Sequence, residues 1–142
     1  MKMKFHITLL LSLFIVGFAT AQTQSEINID NLNSFKQADS VLNVVYKQIQ
    51  KEYKGETEFL TKLKISQRAW IKFRDAELDA IFPAKDTQYE YGTMYPTCYY
   101  IHMKRLTEQR IKQLMIWIRG FGEGETCAGS VHYKAEEGKI LP

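Results

Sequence analysis

Between Phe59 and Asp79 the chain carries a pattern that only a helix can bury on one side. At about 100° per residue, Phe59, Leu63, Trp70 and Phe73 share a face. Arg68, Lys72, Asp75 and Asp79 share the opposite one, with the mixed charge of a solvated surface. Arg74 and Glu77 break that division, because they fall among the aromatic side chains. A buried charge is costly unless it is paired and hydrogen-bonded. Arg74 and Glu77 are three residues apart and can meet on one helix. The pattern therefore demands packing partners for the rings and hydrogen-bond partners for the two charges.

Two flanking segments can supply them. Ser34 and Gln37 form an S-x-x-Q capping box, which predicts a helix from there to about Tyr53. Phe35, Ala38, Leu42, Val45, Tyr46, Ile49 and Tyr53 make its apolar stripe, and Gly55 stops it. The second helix is expected from about Glu56 to Ala80 or Phe82, with Pro83 closing it. A connection ending at Gly92 follows, holding Asp86 and Glu90 with Tyr89 and Tyr91 among them. It reads either as an ordinary polar loop or as a contact surface, since tyrosine offers large area at small entropy loss. The third helix is expected from Thr93 to about Arg119, with Pro96 in its first turn. Tyr95, Tyr99, His102, Met103, Leu106, Arg110, Gln113, Leu114 and Trp117 share one of its faces. Ile101, Ile111, Met115 and Ile118 lie elsewhere, so this helix is apolar on more than one side. Gly120, Gly122 and Gly124 end regular structure, and the tail to Pro142 is short of core residues. Val131, His132 and Tyr133 offer one short strand.

The first 21 residues read as a cleaved signal peptide. Lys2 and Lys4 precede an apolar run from Ile7 to Phe18, and Ala19-Thr20-Ala21 is an A-x-A cleavage site. The run is short for a membrane span. No cysteine follows it, so a lipid anchor on a mature N-terminal cysteine is not expected. Residues 22–33 are polar and read as a flexible leader, residues 34–119 as the helical domain and residues 120–142 as the tail. Without Lys2 and Lys4 the 19 basic residues become 17, nearly balancing the 16 acidic ones. Such a chain lacks the basic excess that neutralises phosphates, so nucleic acid is not an expected partner. No later segment is long and apolar enough to cross a membrane. Cys98 and Cys127 are the only cysteines. In an exported chain they most simply form one disulfide, worth about 3–4 kcal/mol by loop closure. Two free thiols and an intermolecular bridge are the other possibilities.

Two stretches carry a resemblance. Q-R-A-W-I-K-F-R-D-A-E, from Gln67 to Glu77, resembles the signature of LprI-type lysozyme inhibitor domains, small bacterial envelope proteins. Cys98 followed by Leu106 to Leu114 resembles that family's last helix, and the likeness covers roughly Asn33 to Ile118. The resemblance implies a non-catalytic inhibitor that blocks the cleft of a peptidoglycan hydrolase. Members often carry a cysteine directly after the Asp-Ala-Glu, where this chain has Leu78. By that resemblance the usual partner of Cys98 is missing and Cys127 substitutes for it. Some relatives are lipoproteins, and this chain departs from that pattern too.

Chemistry beyond binding finds no support in the residues. Arg74, Glu77, His102 and Arg110 are expected to gather as an inner polar cluster. Such a cluster reads either as an ion-pair network fixing helix register or as a ligand or partner site. Acid–base catalysis needs groups converging on a cleft, and these carboxylates are helix-spaced and mostly on solvated faces. No H-E-x-x-H, C-x-x-C or acidic calcium loop is present, so no metal or other cofactor is expected. Ser66 and Ser130 lack the G-x-S-x-G setting of an activated nucleophile.

The expected fold is thus all-α: a three-helix antiparallel bundle, up-down-up, with a C-terminal tail tethered by the Cys98–Cys127 disulfide. The expected protein is periplasmic or secreted, is not an enzyme and binds a protein partner, with a lysozyme as the specific version. Candidate binding residues are Arg74, Glu77, His102, Arg110, Asp86, Tyr89, Glu90 and Tyr91. The competing readings are an envelope assembly module with no lysozyme target and a small-molecule carrier using the inner cluster.

Overall fold

The computed structural model describes residues 23–134. The expected signal peptide lies outside them. Three long helices form the body: α1 (Gln24–Glu52), α2 (Thr57–Ile81) and α4 (Tyr95–Arg119). The short helix α3 (Thr87–Tyr91) and a 3-10 turn (Gly92–Met94) link α2 to α4. The chain runs up, down and up again, so α1 and α4 are parallel and lie against each other along much of their length. No described helix is long and apolar enough to cross a membrane.

Helix α1 begins well before the expected Ser34. Thr23 is its N-cap, with its hydroxyl accepting from the Glu26 amide while the Glu26 carboxylate accepts from the Thr23 amide. This capping box uses the same signature as Ser34 and Gln37, one stretch earlier in the chain. From Gln24 on, the segment expected as a flexible leader is therefore helical. A physical reason lies across the bundle: the Gln24 and Asn28 side chains both hydrogen-bond the buried Thr97 hydroxyl in the first turn of α4.

Two apolar clusters hold the helices together. The larger joins Leu42, Val45, Ile49 and Tyr53 of α1 and its C-cap to Leu63 of α2 and Leu114 of α4. Ile111, Met115 and Ile118 pack onto it from the second side of α4, as its two-sided pattern implies. The smaller joins Leu78 of α2 to Met103 and Leu106 of α4, with Phe35, Phe82 and Tyr99 around them. Helix α2 buries only Leu63 and Leu78. Phe73, expected on its buried face, is 56% exposed. The spacing explains why: Leu63, Trp70 and Leu78 already set the stripe that meets α4, and Phe73 lies at its margin.

The disulfide expectation fails in this structure, where Cys98 and Cys127 are free thiols. Cys98 stands in the first turn of α4 and Cys127 lies beyond the far end of that helix. The intervening turns rise roughly 30 Å at 1.5 Å per residue, whereas a disulfide needs Cα atoms within about 7 Å. The described part of the tail, to Lys134, is nevertheless docked, and not through Cys127. Ala128 and Val131 are buried, and Phe121 pairs with Tyr133 in one parallel bridge. The bridge is all that forms of the strand expected at Val131 to Tyr133.

Candidate functional site

Trp70 is the centre of the polar cluster, but the cluster differs from the one expected. The Arg74 guanidinium lies over the Trp70 ring, 5.4 Å from its centroid. It does not pair with Glu77. Its Nε and Nη2 both donate to Asp75 Oδ1, at 2.9 and 2.7 Å. The Arg74 side chain is 14% exposed and that of Asp75 is 55% exposed, so the pair sits at the rim. The arginine stem reaches around the helix to a neighbouring carboxylate that stays solvated, so the ion pair forms without desolvating its acidic partner. Glu77 is half-buried and pairs with none of the described residues. His102 is also elsewhere: its Nδ1 faces the Arg105 guanidinium at 3.3 Å, and its ring meets Phe82 edge-on.

Arg110 is the buried member. It is 8% exposed and sits near the Trp70 ring, 6.0 Å from the centroid. Its Nε donates to Gln67 Oε1 at 3.0 Å, its Nη2 to Ser66 Oγ at 3.1 Å and its Nη1 to Gln113 Oε1 at 3.3 Å. All three acceptors are neutral. Burial holds the guanidinium below the usual arginine value, with the Tyr46 phenol acting in the other direction. An arginine remains protonated at neutral pH regardless. This is an internal cation with hydrogen bonds but no counter-ion among the described residues, an arrangement that stability alone does not favour.

Ser66 and Gln67 are not among the candidate binding residues read from the sequence, where Ser66 is weighed only as a nucleophile and Gln67 only as the start of the motif. A signal existed, since Ser66 stands four residues before Trp70 and so shares its side of α2. Among the described residues no three His, Cys, Asp or Glu side chains group as a metal site would.

The Tyr89 turn is a separate candidate at the end of the molecule formed by α2, α3 and the start of α4. The connection expected as a loop contains α3, capped by the Asp86 carboxylate accepting from the Tyr89 amide at 3.0 Å. The four candidates there divide by role. Tyr91 is structural: its hydroxyl accepts from the Ala84 amide, and its ring packs edge-on to Phe82 and stacks on Tyr95. Tyr89 is 87% exposed, and Asp86 and Glu90 beside it are also exposed. The turn thus presents one free aromatic ring between two carboxylates. The structure places this turn and the Arg110 cluster apart, on different stretches of the bundle.

Comparison with curated proteins and with solved structures gives no match. A family model described as Lysozyme inhibitor LprI matches residues 18–114, more than half of the chain. The match takes in all of α1, the Trp70 motif of α2 and most of α4. It also begins earlier than the Asn33 start of the resemblance, in keeping with a helix that starts at Gln24. The chain belongs to the LprI lysozyme inhibitor family.

Proposed function

We propose that this protein is exported to the cell envelope, is not lipid-anchored, and binds and blocks a peptidoglycan hydrolase of the lysozyme type without chemistry of its own. Membership of the LprI family carries this reading. The exposed Tyr89 between Asp86 and Glu90 supports a particular contact. An aromatic ring with few rotatable bonds makes an economical anchor, and flanking carboxylates suit the basic surface of many lysozymes.

A cell-wall clearing assay with animal-type, goose-type and phage-type lysozymes tests it. Inhibition is expected to saturate near one-to-one and to weaken as salt rises, because the proposed contacts include exposed charges. Asp86 caps α3, so the informative variant is Asp86→Asn with Glu90→Gln, which removes charge while keeping a capping side chain. It is expected to weaken inhibition roughly threefold to thirtyfold with melting unchanged, the range of one or two exposed ion pairs. If no enzyme type is slowed at micromolar protein, an envelope assembly module replaces the inhibitor.

A further inference from the structure

Beside the Arg110 cluster opens a pocket of about 200 Å³ lined by Phe59, Lys62, Leu63, Ser66, Trp117 and Ser130. It lies where the start of α2 meets the end of α4 and the docked tail. Phe59 and Trp117 give it aromatic walls, with ring centroids 5.9 Å apart. Its polar equipment is cationic or hydroxylic. Lys62 makes no ion pair among the described residues. The Ser66 oxygen already accepts from buried Arg110, so its own proton is free to be donated to a guest. Arg110 adds a positive charge behind that hydroxyl, and its three acceptors leave the charge uncompensated. No carboxylate lines the pocket.

We infer that this pocket binds a carboxylate carried on a short apolar stem. The stem lies against Phe59 and Trp117, and the carboxylate accepts from Lys62 and from the Ser66 hydroxyl with Arg110 behind it. The guest supplies the counter-ion that Arg110 lacks. A volume below the roughly 300–1,000 Å³ of drug-sized sites suits one acidic side chain or one small organic acid. The site is independent of the Tyr89 turn and of the inhibitor reading. It gives the molecule an end that takes an acid, opposite the end that presents acids.

The test is an NMR titration of the ¹⁵N-labelled protein, read at the two tryptophan indole N–H signals, with Trp70→Phe assigning them. The Trp117 indole N–H has no hydrogen-bond partner among the described residues, so its signal reports changes in the wall directly. Two acids serve as probes, phenylacetate and acetyl-Gly-Glu-Gly-amide, each with its neutral counterpart, phenylacetamide and acetyl-Gly-Gln-Gly-amide. N-acetylglucosamine is the saccharide control. The Trp117 signal is expected to move with an acid at millimolar concentration, and about tenfold more weakly with its amide. Lys62→Gln, at an exposed position, is expected to weaken the acid roughly fivefold and leave the amide unchanged. The tighter of the two acids tells a protein side chain from a free organic acid. Equal binding of acid and amide, a larger response to the saccharide, or a Trp117 signal unmoved by either acid would overturn the assignment.

Discussion

The two ends of the bundle are closed by different physics. At the Phe82 end rings do the work. Phe82 meets Tyr91 and Tyr95 edge-on at centroid distances of 5.4 and 5.2 Å, and Tyr95 and Tyr99 continue the stack along α4. At the Tyr53 end the closure is polar and depends on residues distant in sequence. Fully buried Tyr53 donates its hydroxyl proton to the Trp117 carbonyl and accepts from the His132 amide. The His132 ring stacks on Tyr53 at 3.9 Å and reaches Glu56, while Lys134 holds Glu52 and the Ile118 carbonyl. Ring packing tolerates small displacements because it is weakly directional. A hydrogen-bonded tail does not, so the Tyr53 end should be the more fragile.

Two glycines put that difference to the sharpest test. Gly92 at one end and Gly120 at the other adopt nearly the same backbone, φ 65° with ψ −159° and φ 71° with ψ −175°. That region is essentially closed to other residues, and forcing one into it costs about 1–3 kcal/mol. Their surroundings differ. A Cβ at Gly92 meets nothing within 4 Å, whereas one at Gly120 lies 2.6 Å from the His132 carbonyl oxygen. Gly92→Ala is expected to cost about 1–3 kcal/mol of strain alone. Gly120→Ala is expected to cost at least 1 kcal/mol more, because it also displaces the tail. Urea denaturation gives the totals, and hydrogen exchange at the Phe121 and His132 amides locates the loss. Equal costs for the two variants would mean that the tail contributes little to stability.

Legibility in the sequence follows the same division. The helical body was readable because Ala38, Leu42, Val45 and Ile49, and likewise Met103, Leu106 and Leu114, repeat at the helical period and are buried. The start of α1 is not legible locally, because two capping signatures compete and the choice is made by Thr97, far away in sequence. The docking of the tail is hidden for a similar reason. Its docking rests on a tyrosine hydroxyl, a histidine ring and a glycine, none of which forms a periodic pattern. At the candidate site, the presence of charges beside Trp70 was legible. Their partners were not, because helical spacing says which residues share a face and not how far an arginine stem will reach around it. Arg110 was singled out for its place on the inner face, while its neutral partners Ser66 and Gln67 carry no charge pattern to draw notice.

Arg74 gives a middle-sized effect from the Phe82 half of α2. A buried Arg74–Glu77 pair would make Arg74→Ala cost about 3–5 kcal/mol, because a stranded internal charge is left behind. The observed partner is Asp75, exposed enough to be solvated when the arginine is removed. What is lost is one rim ion pair and a contact with the Trp70 face, together about 1 kcal/mol. Thermal melting of Arg74→Ala measures it. A loss near 4 kcal/mol would restore the buried-pair picture and make this half as dependent on directed polar contacts as the Tyr53 end.

Acidification gives the smallest effect and is selective for one end. The Glu52 carboxyl is held below its ordinary value of 4.5, first by the hydrogen bond from Lys134 and then by the one from Gln48. A carboxyl whose folded value is depressed adds stability above its unfolded value and loses it as pH falls through the folded one. The window therefore lies below about pH 4.5. The size is small, since partly exposed pairs are worth about 0–1 kcal/mol. The effect should appear as local loosening before any global unfolding: exchange protection of the Lys134 and His132 amides falls, while that of the Ala84 amide, held by the Tyr91 phenol, does not. Glu52→Gln is expected to shrink the response, because the amide keeps a hydrogen-bond acceptor but no longer titrates. If both ends lose protection together, or if the variant responds as the parent does, the tail is not closed by the Glu52–Lys134 pair, and the contrast between the two ends rests on Tyr53 and Gly120 alone.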